Sequence, residues 1–311
     1  MIELRYSIGI DVGGTKIAGI LIDENLNVLS YKKVLIGSDK VPNTIVKTIA
    51  SLVETLKLNL EKSKLIGVGI VVPGVISLQD RMIVYSSNLG WENVPIANLI
   101  EREVELPCFL EHDVRGGAIA ELISGYGKEL QSFLYVSIGT GIAGTIIWNR
   151  EILMGSQGMA GEIGHMIVQP SGPLCRCGKR GCLEAIASGS AMEREAFYIT
   201  GKKVRGPIIA KRAKQGESPF QEIVKTSCFY LGIALANLAT ILDPEAILLG
   251  GGVSEAGEQW LQLVKNSYLH HLMNIGHTPR LLLSKYKGKA SVMGAALIPF
   301  ISSEKIKRII G

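Results

Sequence analysis

The sequence predicts a mixed α/β protein built from two related domains. The chain has 311 residues, which suits two domains of roughly 150 residues each. Short apolar runs bounded by turn residues alternate with longer stretches whose apolar residues recur at helical spacing, as is typical of α/β folds. A unit of strand, glycine turn, strand, turn and strand opens the chain at Tyr6, and a similar unit starts at Phe133. This recurrence indicates an internal duplication.

The N-terminal part predicts three strands joined by turns, followed by alternating helices and strands. The run Leu65–Val72 is apolar throughout and ends at Pro73 and Gly74, as expected of a strand buried on both faces. In order, the predicted elements are strands at Tyr6–Asp11, Ile17–Ile22 and Val28–Tyr31, a helix at Thr44–Leu58, the strand at Leu65–Val72, a short helix at Pro95–Val104, a strand at Cys108–Glu111 and a helix at Arg115–Tyr126.

The second part repeats this order and adds a long apolar helix, predicted to be buried between layers. The predicted elements are strands at Phe133–Ile138, Ala143–Trp148 and Glu151–Met154, the long helix at Phe220–Leu242, a strand at Ala246–Leu249 and helices at Ser254–His271 and Ser291–Ile301. We expect a small N-terminal α/β domain at 1–112 and a large α/β domain at 113–296. A C-terminal helix at about 297–311 is expected to pack back on the small domain.

The composition excludes several classes of protein. Apolar residues make up 47% of the chain and charged residues 20%, whereas a disordered chain has low hydrophobicity and high net charge. The net charge is +5 and no dense Lys/Arg block occurs, so we expect no nucleic-acid partner. No stretch reaches the ~18 unbroken apolar residues of a membrane helix, and the start shows no signal-peptide pattern. We therefore expect a cytoplasmic protein without a membrane partner.

Three glycine-rich loops follow predicted strands, at Gly13–Lys16, Gly139–Gly141 and Gly250–Gly252. Glycine lets backbone N–H groups approach an anion closely and adopts the positive φ angles of concave amide nests. One such loop would indicate only a tight hairpin, but three loops, two of them in matching repeats, favour phosphate binding. The string Gly139–Gly144 also fits G-x-G-x-x-G. We reject a dinucleotide site because β-branched residues follow where that fingerprint opens a helix, and no P-loop string is present.

A cluster of thiols points to a metal. His165, Cys175, Cys177 and Cys182 have the spacing H-x9-C-x-C-x4-C. Three thiolates and one imidazole make a closed tetrahedral zinc site, in which four protein ligands leave no open position for catalysis. The alternative, a disulfide, is weaker, because a bond between Cys175 and Cys177 would be strained and one to Cys182 would leave a thiol over. The cluster therefore predicts structural zinc.

Several carboxylates are candidates for chemistry. Asp113 follows a predicted buried strand, at the edge where α/β proteins bind ligands, and could accept a proton from a substrate hydroxyl. The alternative is a helix N-cap for Ala118–Tyr126. Asp11 ends the first strand beside a glycine loop, where it could hold magnesium through water or serve the turn. Glu162 and Glu184 lie beside the thiol cluster and either contact a ligand or are solvated.

These strings resemble a known family. Asp11–Lys16 resembles the first phosphate motif of the actin-like, sugar-kinase and Hsp70 superfamily, and Glu162–His165 with Cys175–Glu184 resembles the signature of the ROK (repressor, open reading frame, kinase) family. Further segments similar to that family are Val72–Val75, Asn88–Trp91 and Gly250–Ser254. The resemblance covers nearly the whole chain. It implies two related actin-like (ribonuclease H-like) α/β domains flanking an interdomain cleft, with a zinc knot inserted in the second domain.

The resemblance implies an ATP-dependent sugar kinase of the glucokinase or hexokinase type, which transfers the γ-phosphate of ATP to the 6-hydroxyl of glucose or a related hexose. ROK repressors carry an N-terminal helix-turn-helix domain, and because this sequence opens on the first strand we expect a kinase. The alternatives are an N-acetylhexosamine or fructose kinase and a non-catalytic sugar-sensing regulator. The implied cofactors are ATP, Mg²⁺ and structural Zn²⁺, and the expected assembly is a homodimer or homotetramer.

The resemblance also assigns roles to individual residues. Asp113 is the implied catalytic base. The implied zinc ligands are His165, Cys175, Cys177 and Cys182. The implied hexose contacts are Gly74, Asn88, His112, Asp113, Glu162, His165 and Glu184. The implied nucleotide and magnesium contacts are Asp11, Gly13, Gly14, Thr15, Lys16, Gly139, Thr140, Gly141, Gly250, Gly251 and Gly252. His112 stands where many family members have Asn, so the resemblance does not specify which hexoses are accepted.

Overall fold

The computed structural model describes residues 4–37, 40–57, 60–273, 276 and 278–302. Within these residues the chain forms two compact units. The first runs up to Ser124 and also takes in the chain from Lys289 onward, and the second is Gly125–Gly288. The predicted domain boundaries at 112/113 and 296/297 stay a prediction. Of the C-terminal helix predicted at about 297–311, residues 303–311 lie outside the described part of the chain.

The predicted strands and helices all occur in the predicted order. The strands are β1 (Tyr6–Val12), β2 (Lys16–Asp23), β3 (Val28–Leu35), β4 (Leu65–Val72), β5 (Val75–Ser77), β6 (Met82–Ser86), β7 (Trp91–Val94), β8 (Cys108–His112), β9 (Phe133–Ile138), β10 (Ile142–Trp148), β11 (Glu151–Ile152), β12 (Ala246–Gly250) and β13 (Arg280–Leu283). The α-helices are α1 (Pro42–Leu56), α2 (Ile96–Val104), α3 (Asp113–Ser124), α4 (Leu183–Ala187), α5 (Gly189–Thr200), α6 (Gly206–Lys214), α7 (Phe220–Leu242), α8 (Glu258–His271) and α9 (Ala290–Ser302). The structure thereby adds β5, β6, β7, α4, α5, α6 and β13, which the sequence analysis does not predict.

Each unit has a five-stranded sheet at its centre. In the first unit the strand order is β3-β2-β1-β4-β8, where β1, β2 and β3 pair antiparallel and β1, β4 and β8 pair parallel. In the second unit the order is β11-β10-β9-β12-β13, again with an antiparallel meander followed by two parallel pairings. The shared topology agrees with the predicted duplication, and the mixed α/β fold class is confirmed.

Helix α1 covers one face of the first sheet. It begins at Pro42, whose missing N–H would be unpaired in the first turn of any helix. Its buried residues recur three or four positions apart, which places them on one face of the helix; examples are Ile45, Ile49 and Leu52. This face packs over Gly19 of β2, where a Cβ would overlap the Leu52 and Leu56 side chains.

Helix α9 crosses the first sheet at very short range. A Cβ on Gly69 of β4 would clash with the Ala295 carbonyl, and a Cβ on Gly9 of β1 would clash with the backbone of Ala296. The Ser7 hydroxyl donates a hydrogen bond to the Ala296 carbonyl at 2.7 Å. Glycine on the central strands therefore allows a helix from the end of the described chain to become a core layer of the N-terminal sheet.

Helix α7 is the core helix of the second unit. By length and composition it could cross a membrane, but 61% of its most apolar window is buried within the protein. Its side chains Leu231 and Leu235 are fully buried in a cluster with Leu134 of β9 and Ile247 of β12. The long apolar run is thus explained by packing against the second sheet, as the sequence predicts.

Candidate functional site

The first glycine loop is the tight turn between β1 and β2. The Gly13 amide donates to the Lys16 carbonyl at 3.0 Å, which closes the turn. Thr15 and Lys16 are exposed, and Gly14 lies against Asn88, because a Cβ on Gly14 would be 3.1 Å from the Asn88 carbonyl oxygen. The structure therefore brings the first predicted phosphate loop next to a predicted hexose contact.

The second glycine loop is the corresponding turn between β9 and β10. The Gly139 amide donates to the Gly141 carbonyl at 2.9 Å, and Thr140 at the tip is exposed. Strand β10 follows directly at Ile142, so the rejection of a dinucleotide helix is confirmed. The Glu184 carboxylate accepts a hydrogen bond from the Ile142 amide at 3.0 Å, in space that a Cβ on Gly141 would occupy.

The third glycine loop follows β12. Gly250 is buried and has no room for a side chain, because a Cβ would overlap the Tyr135 ring. Gly251 has φ +82°, a left-handed conformation that favours glycine, and its carbonyl accepts a hydrogen bond from the Ser254 hydroxyl at 2.7 Å. Gly252 is exposed. All three predicted loops thus begin at the carboxyl ends of central strands.

Asp113 is the first residue of α3 and follows β8 without a linker. One carboxylate oxygen accepts a hydrogen bond from the Val114 amide at 2.8 Å and lies 3.4 Å from Nδ1 of His112. The side chain of Asp113 is 31% exposed, so the carboxylate remains accessible to a ligand. The predicted alternative placed a helix start at Ala118, whereas the helix starts at Asp113 itself.

A brace beside Asp113 was not found from the sequence. One Glu111 carboxylate oxygen accepts from the His112 amide at 2.7 Å and from Nε of Arg115 at 2.5 Å. Both side chains of the Glu111–Arg115 pair are only 13% exposed. Glu111 lies in β8 and Arg115 in the first turn of α3, so the spacing rule for charged pairs within one helix does not mark them in the sequence. The brace fixes the junction of β8 and α3, and with it the backbone that carries Asp113.

Asp11, near the end of β1, lies in the electrostatic field of Asp113. Burial and then the Asp113 carboxylate raise the pKa of Asp11 to about 7, while Lys16 and Lys33 act in the opposite direction. A cation bound beside the two carboxylates would stabilise the ionised form of Asp11 and lower its pKa. Oxygen ligands of this kind suit Mg²⁺, which also keeps several of its waters. The surroundings of Asp11 therefore fit the predicted magnesium role.

The other predicted hexose contacts of the first unit are Gly74 and Asn88. Gly74 has φ +114°, and a Cβ there would clash with the Tyr85 carbonyl and lie 3.0 Å from Ser86. Asn88 is exposed in the loop between β6 and β7. The Ser86 hydroxyl is buried and has no hydrogen-bond partner among the described residues. The sequence analysis did not find this buried hydroxyl, because serine is common in turns and at strand ends and does not by itself mark a site.

The second unit gathers the predicted metal ligands. Cys175 Sγ lies 3.7 Å from His165 Nδ1 and Cys177 Sγ lies 3.6 Å from Cys182 Sγ, and the four ligand atoms are all within 4.8 Å of one another. Tetrahedral bonds of about 2.3 Å to sulfur and 2.0 Å to nitrogen require ligand separations of about 3.5–3.8 Å. The separations of these two pairs match this geometry, and the Cys3His donor set is one that zinc prefers, so the cluster fits zinc.

Local backbone contacts and burial shift the pKa values of two of the thiols in opposite directions. Gly178, at φ +85°, allows the turn in which the Cys175 amide donates to the Lys179 carbonyl at 2.8 Å. A hydrogen bond from the Lys179 backbone lowers the pKa of the exposed Cys177 to about 7. Burial raises the pKa of Cys182 to about 12. A bound cation is what would hold such a buried thiol in its thiolate form.

Two predicted acids flank this cluster. Glu162 Oε2 lies 3.9 Å from His165 Nε2, and both side chains are well exposed. Glu184 is half-buried on α4, which begins at Leu183 directly after Cys182. Glu184 follows Cys182 by two residues and accepts a hydrogen bond from the Ile142 amide, at the start of β10 directly after the second glycine turn, so it lies between the thiol cluster and that turn. The predicted metal ligands and the two predicted acids of the second unit thus lie close together, whereas the third glycine loop packs against Tyr135 and Ile138.

Comparison with known proteins agrees with these features. A model of the ROK family matches residues 7–299. A glucokinase from Halalkalibacterium halodurans is 34% identical over 281 residues, 85% of each chain. A xylose repressor from Bacillus subtilis is 31% identical over 94% of this chain and 76% of the repressor. The crystal structure of a ROK family glucokinase from Streptomyces griseus, in complex with glucose and AMPPNP, has a TM-score of 0.85 at 30% identity, covering 94% of this chain and 98% of that one.

The family match spans all three glycine loops, Asp113 and the Cys3His cluster. The solved glucokinase also shares the fold over nearly its full length. Motif, topology and comparison therefore agree, and this chain belongs to the ROK family.

Proposed function

We propose that this protein is an ATP-dependent hexokinase of the glucokinase type, which phosphorylates the 6-hydroxyl of glucose or a related hexose. The observation that carries the proposal is the accessible carboxylate of Asp113, braced at the carboxyl end of a strand in the sheet that also carries the first glycine loop. The glucokinase relatives, one of them solved with glucose and AMPPNP, support the reaction and its two substrates.

In the proposed reaction Asp113 is the general base. Its carboxylate accepts the proton of the hexose 6-hydroxyl as the hydroxyl oxygen forms a bond to the γ-phosphorus of ATP. The bond between that phosphorus and the β,γ-bridging oxygen breaks, and ADP leaves with the electron pair. Phosphoryl transfer needs mainly alignment and charge stabilisation. The hydrogen bond from Val114 and the Glu111–Arg115 brace hold the base in one place.

The glycine loops are proposed to hold the nucleotide. Backbone N–H groups at Gly13–Lys16 and at Gly139–Gly141 would bind phosphate oxygens, and Gly250–Gly252 would lie near the adenosine. Asp11 would hold Mg²⁺ through water. When bound, Mg²⁺ neutralises charge on the β- and γ-phosphates. Thr15, Lys16 and Thr140 are exposed at the turns, where they can reach phosphate oxygens.

Each unit contributes proposed hexose contacts. In the first unit these are Gly74, Asn88, His112 and Asp113. In the second unit they are Glu162, His165 and Glu184, whose backbone is held by the proposed structural zinc. Zinc supplies cross-links between four side chains and no chemistry of its own, because the ligand set is closed.

Replacing Asp11 by Asn is expected to stabilise the metal-free protein while lowering activity. The folded state raises the pKa of Asp11 to about 7 from its ordinary 3.8, so the stability linked to this group is complete below pH 4 and is lost as the pH rises through 7. The Asn side chain does not ionise, so the Asp11→Asn variant does not lose this stability as the pH rises. Its melting temperature in EDTA should exceed that of wild type at pH 8 and match it near pH 4.

The same Asp11→Asn variant should release ADP about 10²-fold more slowly under saturating Mg²⁺ and glucose, because charge stabilisation at the phosphates is a main source of phosphoryl-transfer rate. Asp23→Asn is the control, since Asp23 caps its own turn: its carboxylate accepts from the amides of Asn25 and Asn27 and from the Asn27 side chain. If the Asp11→Asn variant has wild-type activity, Asp11 does not hold the magnesium ion.

The proposed activity is tested by coupled ADP release over a panel of glucose, mannose, fructose, N-acetylglucosamine and N-acetylmannosamine. Turnover with glucose supports the proposal, and exclusive turnover with another sugar replaces it by a kinase for that sugar. Sugar binding without ADP release indicates a non-catalytic regulator. The similarity to a xylose repressor is the observation that favours this second candidate.

We also propose a homodimer or homotetramer located in the cytoplasm. Light scattering on the purified protein gives the mass to compare with multiples of the 33.5 kDa chain. A monomeric mass across the concentration range of the kinase assay would overturn the oligomer.

A further inference from the structure

The loop that presents Asn88 is anchored from three sides. Within the loop, the Gly90 amide donates to the Ser86 carbonyl at 2.8 Å, and Leu89 is buried beneath it. The backbone of Gly14, from the first glycine turn, lies directly against the Asn88 carbonyl. The third anchor is Lys40, from the segment that leads out of β3.

Lys40 contacts this loop through both its side chain and its backbone. Its ammonium donates a hydrogen bond to the Asn88 carbonyl at 2.8 Å. Its own carbonyl accepts from Nε1 of Trp91 at 2.5 Å. Trp91 as a residue is 4% exposed, so the indole is fixed by packing and holds the Lys40 backbone in turn. The two bonds clamp the residues on either side of Leu89 and Gly90.

Lys40 binds the Asn88 backbone rather than its side chain. The Asn88 amide group therefore keeps its donors and acceptor for a ligand, while its backbone cannot shift without breaking a charge-assisted bond, which is the stronger kind. The strand end that precedes this segment is fixed too, since the Ile36 amide donates to the Thr15 carbonyl at 2.9 Å. The chain between β3 and α1 thus contacts both the loop that carries Asn88, through Lys40, and the first glycine turn, through Ile36.

We propose that Lys40 is a positioning residue for hexose binding, which sets the orientation of Asn88 through its backbone carbonyl. The inference rests on the proposed hexokinase function and names a residue that no motif of the sequence marks. Lys40 does not touch the reacting atoms, so its loss weakens the bound ground state and transition state equally. Such a change raises KM and leaves kcat unchanged.

The test compares Lys40→Met with Lys40→Arg. Met keeps the length of the side chain and removes the charge and donors, and Arg restores both. We expect Lys40→Met to raise the KM for glucose about tenfold with kcat and the KM for ATP within about twofold of wild type. Lys40→Arg should recover most of the loss. Lys62→Met is the control, because Lys62 is an exposed lysine paired with Glu105 at 2.6 Å.

Several outcomes overturn the proposal. An unchanged KM for glucose in Lys40→Met, a loss confined to kcat, or an equal loss in Lys62→Met would each do so. If Lys40→Met does not fold, Lys40→Gln takes its place and is judged by the same criteria. Calorimetric titration of the nucleotide-free protein with glucose tests the positioning role of Lys40 separately from the proposed kinase activity. Wild type that binds glucose without turnover removes the kinase proposal, and a weaker affinity in Lys40→Met still supports the positioning role.

Discussion

Asp113→Asn should lose almost all turnover while it keeps its fold and its affinity for hexose. A positioned general base contributes roughly 10²–10⁴-fold to such a reaction, and an amide cannot take the proton. Asn can still accept the hydrogen bond from the Val114 amide, so the start of α3 should remain intact. Coupled ADP release measures kcat, and calorimetric titration with glucose measures binding.

The matched control for this variant is Asp80→Asn. Asp80 is an exposed carboxylate whose partner is the Ser77 hydroxyl at 2.7 Å, in a turn between β5 and β6. The Asp80→Asn variant should have the same kcat as wild type. If Asp113→Asn retains kcat within tenfold of wild type, Asp113 is not the base, and the site must work by alignment alone.

The second large effect concerns the metal. Cys177→Ala should lose bound zinc and with it most of the hexose affinity, because His165 and Glu184 are held by the same knot. Cys177 is exposed, so its truncation leaves no cavity in a core, and any loss reports on coordination. We expect less than about one tenth of the wild-type zinc content by elemental analysis and a KM for glucose raised at least about tenfold, since a closed zinc site supplies folding energy directly.

Arg176→Ala serves as the control, because it changes the neighbouring exposed residue and leaves all four ligands in place. Zinc content equal to wild type in Cys177→Ala would contradict the four-ligand site. Loss of zinc with unchanged glucose kinetics would contradict only the link between the knot and the hexose contacts.

The sequence located most of the fold because burial leaves a strong pattern. Leu65–Val72 was predicted residue for residue, since a strand covered on both faces is apolar throughout. Strand β3 runs on to Leu35, four residues past its predicted end at Tyr31. It is the edge strand, and the exposed Lys32 and Lys33 interrupt the apolar pattern. The short β5, β6 and β7, in a small separate sheet, gave no comparable run.

The chemistry was predicted unevenly, for a related reason. The thiol cluster was found because few residue types bind zinc and their spacing in the chain is short. The contact of Lys40 with Asn88 joins residues 48 positions apart through a backbone carbonyl. A backbone acceptor leaves no trace in the choice of amino acid at that position. Contacts of this kind are visible only in three dimensions.

The crossing of α9 over β1 and β4 also has a consequence for biosynthesis. A ribosome releases the N-terminal sheet early, but the helix that completes its core is synthesised only after the whole of the second unit. The unit at Gly125–Gly288 is contiguous and can fold while still attached. Gly9 and Gly69 of the first sheet stay uncovered until α9 has been made, so the N-terminal unit is completed only after the second unit. Termination of translation before Ala290 would leave the first sheet without its core helix.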